Sequence, residues 1–565
     1  MRRQFFAATI LCCSLLSSSA FTLDFSTHGY YRTRVIANDN LDLQRNNTAI
    51  PRTNDRFGFI SYNQMRLRLE PTLKINDNLA IHGQLDVLDN LLYGTSNTSE
   101  LGINVPVIGT LTLPPGAGSF RMTGGEAGEN GSLNVRSVWA DILTPVGLFR
   151  VGRQPSHWGL GIFQHDGRNR QGDFGDTADR IMYLAQYDLE GKGAMSGGLL
   201  WDIAYEAQSD PRRSGFTAPP GSNAMDAQQY AAFVLYEQDD LSLGAFGGLR
   251  HRDGPEGART MTVTDAVGNS GIDAGIDGNT NLYFGDLFAR YQYGPHQIKL
   301  EGVYLGGRVT TGLAANGIAF SGIGAADTSN PCGSGGIICM PSNQPVQVIM
   351  AALEASGEYS FGGAWNLKGG FAEGDGDILS QKITQFGFRP GYQVALMMFN
   401  MPLGTSPKFF DSSSGNQIAG GVPITGNNIN NAVYISAGYK HRFDTQHAIP
   451  GTEWIKVGGQ ATTAWAHKKN ININFSSLTG TPNLPTLSEN ANTLFKRWYG
   501  LEFDVSAEAK SFDHLYTMLE AGFLLPGRAY NIDVALTDPG SIVLTIPADK
   551  AEIAWMTRLT ATIEF

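Results

Sequence analysis

The chain is predicted to be all-β: a single closed antiparallel transmembrane β-barrel of about eighteen strands, with short periplasmic turns and long extracellular loops. Three observations predict it. Apolar and polar residues alternate over segments of ten or more residues, helical periodicity is nearly absent, and short and long connections follow one another strictly.

The alternation sorts side chains onto two faces. In MRLRLEPTLKI, Met65, Leu67, Leu69, Pro71 and Leu73 share one side, and Arg66, Arg68, Glu70 and Thr72 the other. In KRWYGLEFDVSAEAK, Leu501, Phe503, Val505 and Ala507 oppose Glu502, Asp504 and Glu508. The final segment, AEIAWMTRLTATIEF, sends Ile553, Trp555, Leu559, Ile563 and Phe565 outward and Glu552, Arg558, Thr560 and Glu564 inward. A soluble sandwich also alternates, but its strands average about five or six residues, whereas a tilted membrane strand needs about ten. Lipid offers no partner for an open strand edge, so such a sheet must close.

Connections set the strand number. Short turns are expected at Ile75–Asn78, Thr144–Gly147, Glu190–Gly193, Gln238–Asp240, Tyr293–His296, Phe361–Ala364, Asp444–Thr452 and Ser511–Asp513. Between them lie Gly-rich polar stretches at roughly 37–56, 95–131, 155–179, 210–226, 252–280, 312–344, 374–430, 469–493 and 526–549. Eight turns and nine loops make seventeen connections and eighteen strands, with both ends on the periplasmic side.

Residues 1–20 read as a signal peptide: Arg2-Arg3, an apolar core from Phe5 to Leu16, and Ser18-Ser19-Ala20 as cleavage site. Residues 21–565 are then the barrel. The first strand, LDFSTHGYYRTRVI, follows at once, so no N-terminal plug is expected. Without Arg2 and Arg3, the 41 basic residues fall to 39 against 52 acidic, a formal charge of −13. That balance excludes nucleic-acid binding by counterion release. Cys12 and Cys13 leave with the leader. Cys332 and Cys339, in PCGSGGIICMP, are expected to form a loop disulfide after export.

An eighteen-strand cylinder is too wide for its own side chains to fill and leaves an aqueous lumen. The expected pore lining is Arg32, Arg34, Arg66 and Arg68 on the first two strands, with Asp202, Glu206, Arg290, Lys299, Glu301, Glu502 and Asp504. Lys368, Lys440, Lys456, Arg558, Asp86, Asp286, Glu354, Glu358 and Glu520 also take inward positions. Lumenal charges set solute preference; the competing reading is that opposite charges pair and fill the interior.

In the longest loop, about 374–430, the run Val394–Phe399 is apolar. It either folds inward as a constriction or caps the external loops. Glu373, Asp375 and Asp377, in AEGDGD, are candidate calcium ligands, although Gly-Asp-Gly is also ordinary turn chemistry. His157 and His165 flank WGLGIF with no Cys or carboxylate at ligand spacing, so a metal is not expected there. No signature selects a nucleophile near His441, and neither an enzyme nor a cofactor is expected.

TPVGLFRVGRQPSHWGLGIF with DFGDTADRIMY, FAEGDGD, and YGLEFDVSAEAKSFDHLYTMLEAGFLLPGRAY resemble the alginate-export-like family of outer-membrane porins. The resemblance implies an eighteen-stranded monomeric channel, with Arg153 near the narrow part of the lumen. It departs from that family in charge: the alginate exporter is expected to have a strongly basic lumen, and here the inward charges are mixed. Phe565, after alternating apolar residues, is similar to the aromatic signal read by the outer-membrane assembly machinery. The expected partners are therefore outer-membrane lipid, that machinery and a small hydrophilic solute, and the expected place is the outer membrane of a Gram-negative bacterium. The predicted function is passive or weakly selective diffusion of small hydrophilic solutes, sugars or oligosaccharides among them. The alternative is a surface structural or adhesive protein with a loop-sealed lumen.

Overall fold

The computed structural model describes residues 23–43, 58–92, 133–205, 227–252, 262–264, 270–273, 280–310, 343–374, 382–404, 408–411, 417–420, 423–445, 448–468, 497–530, 536–537, 542–544 and 551–565. Eighteen strands form one sheet: β1 (Asp24–Asp39), β2 (Ile60–Asn76), β3 (Leu79–Leu92), β4 (Leu133–Thr144), β5 (Gly147–Pro155), β6 (Thr177–Asp188), β7 (Ala194–Tyr205), β8 (Ala227–Glu237) and β9 (Leu241–Arg252). They continue as β10 (Thr280–Tyr293), β11 (His296–Thr310), β12 (Asn343–Glu358), β13 (Gly363–Ala372), β14 (Ala432–Asp444), β15 (Thr452–Ala466), β16 (Trp498–Ser511), β17 (Leu515–Pro526) and β18 (Ala554–Glu564). Each strand pairs antiparallel with its neighbours in sequence, and β18 pairs with β1 from Tyr30↔Glu564 to Asp39↔Trp555. The barrel is closed, as the alternation and the connections require, and the eight short turns fall at or within about two residues of the expected positions.

The seam ends on the last residue. Phe565 N–H donates to Gly29 O at 3.0 Å and Gly29 N–H donates to Phe565 O at 2.9 Å. A Cβ on Gly29 would stand 2.2 Å from Arg68 O and 3.1 Å from the Phe565 ring, so only glycine lets β1, β2 and the terminus meet here.

Alternation carries through to burial. On β18, Leu559 and Ile563 are exposed outward, while Arg558 and Thr560 are buried inward; on β16, Phe503 and Val505 are exposed and Glu502 is buried. An apolar outward face on a wall without edges is the membrane-spanning arrangement.

One irregularity shapes the interior. The β2–β3 register shifts between Met65↔Leu91 and Leu67↔Val87, and Leu88 and Asn90 take positive φ of 54° and 51°. This bulge brings the side chains of Asp89 and Asn90 to arginines on the inner wall. Outside the barrel, Lys408–Asp411 and Gln417–Gly420 join Ile542–Leu544 and Leu536–Thr537 in a small sheet linking two external loops.

Candidate functional site

The inner wall of β1 and β2 carries four arginines in two cross-strand steps: Arg32 lies directly opposite Arg66, and Arg68 opposite Tyr30. Alternation alone would leave these like charges facing each other. Three aspartates prevent it. Arg68 makes a bidentate pair with Asp86, 2.7 Å to each oxygen. Arg66 Nε donates to Asp89 at 2.6 Å, and Arg32 donates to Asn90 Oδ1 at 2.7 Å. The third aspartate, Asp173, comes from the loop after β5: Arg32 reaches one carboxylate oxygen and Arg34 the other, each at 2.5 Å. All four arginines are at most 2% exposed. Burial pushes the Asp173 carboxyl up, but Arg34, Arg32 and Arg66 outweigh it and hold the group well below the usual carboxylate range.

The loop at 156–176 is folded into the lumen. Its main chain supplies acceptors to the wall: Arg32 donates to Arg170 O, Arg66 to Gly172 O and Arg68 to Gly167 O, at 2.8, 2.8 and 3.1 Å. Its tip reaches the turn end of the barrel, where Arg170 lies 3.2 Å from Glu564 and 3.7 Å over the Tyr516 ring. On the opposite side the loop is apolar. Trp158 packs against Phe233 and Phe246, and Phe163 against Phe284 and Phe386. Buried Glu301 on β11 accepts the backbone N–H groups of Leu160 and Gly161 there, the latter at 3.1 Å.

A second loop, 382–404, enters from the next quadrant. Met397 and Met398 N–H donate to the two oxygens of fully buried Glu502, 2.6 Å each, and Leu396 N–H donates to Asp504 at 3.2 Å. Val394 O accepts from Thr462 Oγ1 at 3.0 Å, and the Tyr434 hydroxyl donates to Tyr392 at 3.1 Å. The run Val394–Phe399 is buried against the inner faces of β14, β15 and β16. Arg389 ties the two loops together through a bidentate pair with Asp176, its Nε at 2.8 Å. Beside that pair lies a polar cavity of about 320 Å³ lined by Arg136, His165, Asp176 and Arg389 among others.

Nearer the turn end the wall is less filled. Lys368 pairs with Glu354 at 3.1 Å and Lys510 with Glu453 at 2.8 Å, whereas Arg558, paired with Glu520 at 2.6 Å, is buried on the external side of Arg34. Arg290 and Lys299 face each other across β10 and β11, and Lys440 and Lys456 stand on β14 and β15. Among the described residues these four have no carboxylate within ion-pair distance.

Neither a protein-family model nor a curated protein matches the chain. Among solved structures, the outer membrane protein OpdK from Pseudomonas aeruginosa is similar over 96% of this chain and 98% of its own, at 11% identity and a TM-score of 0.40. OccK8 (OprE) from the same organism is similar over the same shares at 11% identity and 0.39. A BenF-like porin from Pseudomonas fluorescens Pf-5 is similar over 96% and 98% at 8% identity and 0.42. Likeness that distant adds nothing to the closed eighteen-strand wall, which carries the assignment by itself. The chain is an outer-membrane β-barrel. No comparison matches the alginate-export-like porins, and that resemblance stays with the motif stretches.

Within the barrel, the residues expected in the lumen divide into groups. Arg32, Arg34, Arg66 and Arg68 point inward but are covered by loop 156–176 rather than open to a bore. Asp202 is likewise engaged, bidentate with Arg180 at 2.6 and 2.9 Å. Glu301, Glu502 and Asp504 hold loop main chain, and Arg290 and Lys299 face the lower lumen. Arg153 lies opposite exposed Val138 in the outward row of Phe149 and Val151, paired with Asp179 at 2.7 Å and 53% exposed, and at the external rim it also lines the polar cavity beside Arg389. Glu373 is turned to the backbone of Ile349, whose N–H it accepts at 3.0 Å. Asp375, Asp377, Glu206, Cys332, Cys339 and residues 1–20 lie outside the described residues.

Sequence reading missed Asp89, Asn90, Arg136, Arg170, Asp173, Asp176 and Arg389. The charges of DGRNRQGDFGD in loop 156–176 were the available signal, but nothing local says that this loop turns inward.

Proposed function

We propose that this barrel is a channel for small hydrophilic solutes that favours anions, its route narrowed from the external side by loops 156–176 and 382–404. The observation that carries the reading is the cation set on the lower wall, Arg290, Lys299, Lys440 and Lys456, which has no ion pair among the described residues, inside a cylinder too wide for its own side chains to close. Within a Debye length of about 8–10 Å these charges raise the local concentration of anions and lower that of cations. Small organic acids and acidic sugars suit such a wall better than neutral oligosaccharides.

Refolded protein in a planar bilayer tests this. A stepwise conductance with a reversal potential displaced toward the anion equilibrium in a salt gradient supports the proposal. A second reading, a barrel sealed by its loops and serving at the surface, is favoured by the buried Val394–Phe399 run. It requires that no conductance be seen and that solutes fail to enter reconstituted liposomes.

A further inference from the structure

Loop 156–176 carries a side-chain group that plays no part in anchoring it to the arginine wall. His157, His165 and Asp166 each offer one ligating atom, and these atoms lie within 4.8 Å of one another. The spacing of the two histidines in the chain suggests nothing, and the carboxylate is simply the residue after the second. The fold brings them together by reversing the loop between the histidines: Gly161 N–H donates to Trp158 O at 2.9 Å and Trp158 N–H to Gln164 O at 3.2 Å. The imidazole rings meet edge to face, centroids 5.3 Å apart, and His157 Nδ1 lies 3.7 Å from Asp166 Oδ1.

We propose that His157, His165 and Asp166 form a binding site for a divalent transition-metal ion of the zinc class, at the external end of the lumen, with the remaining coordination position open to water or a solute. Two imidazoles and one carboxylate match borderline cations and discriminate against calcium and magnesium, which take oxygen donors. Three protein ligands are the number that leaves a tetrahedral ion one open position.

The surroundings fit the assignment. Gly161 has φ +86° and sits where the two rings meet; a Cβ there would lie 2.5 Å from His165 Cδ2 and 3.2 Å from His157 Cε1. The loop behind the rings is held by Glu301 through Leu160 and Gly161, so the main chain bearing the ligands is anchored before any ion arrives. Gly167 N–H donates to His165 Nδ1 at 3.0 Å, so that nitrogen carries a lone pair rather than a proton. An ion takes that lone pair in place of the amide, or binds Nε2 after the ring proton shifts to Nδ1. Asp166 Oδ1, the oxygen nearest His157, also accepts from Arg168 N–H at 3.2 Å, a contact that holds the carboxylate in place beside the ring. The nearby Arg389 charge is neutralised by Asp176. Tetrahedral ligand atoms sit about 3.4 Å apart around zinc, so the group must contract; His157, with its side chain 41% exposed, has the room to swing in.

Calorimetry with zinc sulfate on the folded full-length barrel in detergent decides the matter without requiring conductance. The expected result is one zinc ion per chain, bound about 10–100-fold more weakly in His157→Ala and in His165→Ala, with weakening in Asp166→Asn as well. Heat-dependent gel mobility establishes that each variant is folded. Because His165 is packed and His157 is not, His157→Ala remains informative if His165→Ala fails to fold. Absence of zinc binding to the native barrel, or equal affinity in folded His157→Ala, overturns the proposal.

Discussion

Glu502 on the barrel wall accepts the N–H of Met398, in the middle of an apolar loop segment, at 2.6 Å, while its other oxygen takes the N–H of Met397. The same device recurs at Glu301, which takes Leu160 and Gly161 N–H. Each inward loop therefore presents unpaired main-chain donors to the wall, and each wall supplies a carboxylate where those donors arrive. A buried carboxylate needs donors as much as buried amides need an acceptor, so the two desolvation penalties cancel against one another.

Replacing Glu502 by Gln keeps the volume but turns an amide NH₂ toward one of the two loop N–H groups. Loss of a charge-assisted hydrogen bond of about 1.5–3 kcal/mol loosens loop 382–404. Single-channel recordings of Glu502→Gln should show a larger mean conductance and more frequent fluctuations than the native barrel. An unchanged trace would mean that this contact does not hold the loop.

Asp173→Asn removes the loop carboxylate shared by Arg32 and Arg34 and leaves their charges buried. Breaking one partner of a buried ion pair costs about 3–5 kcal/mol. Loop 156–176 should leave the wall, exposing the arginines to solute, with increased conductance and increased anion preference. Limited proteolysis within residues 156–176 gives an independent readout of release.

The pH dependence follows from the same group. The folded pKa of Asp173 lies well below its unfolded value, so its contribution to loop docking is fully present above the ordinary carboxylate pKa of about 3.9. That contribution falls only as pH drops through the depressed folded value. Conductance attributable to this loop should be flat from neutral pH down to about pH 4 and change only in stronger acid. A transition near neutrality would assign control of the loop to a different group.

Lys299→Glu combined with Lys440→Glu reverses two of the four lower-wall charges at half-exposed or exposed positions, where surface substitutions alter stability by about 0.5 kcal/mol or less. Reversal potentials in a salt gradient should move toward cation preference, with the thermal unfolding midpoint nearly unchanged. A shift in stability without a shift in selectivity would remove these residues from the route.

Much of the architecture was legible without coordinates because barrel rules act locally and repeat. Period-two alternation along MRLRLEPTLKI and AEIAWMTRLTATIEF identifies strands and faces, and the short-long rhythm of connections counts them. Parity applied to Phe149 and Val151 places Arg153 in the outward row, where the family resemblance had implied the lumen, and it says nothing of the bulge at Leu88–Asn90 that turns Asp89 and Asn90 to the arginines.

The sequence by itself determined a closed wall of eighteen strands, which residues alternate across it, and that charges line its interior. Only the tertiary structure decided which of those charges are open to solute. Arg32 meets Asp173 from 141 positions away, and Arg389 meets Asp176 from 213 away. Strand parity is a property of neighbouring residues in one segment, whereas neutralisation of a lumenal charge depends on where a distant loop comes to rest, and no local pattern encodes that meeting.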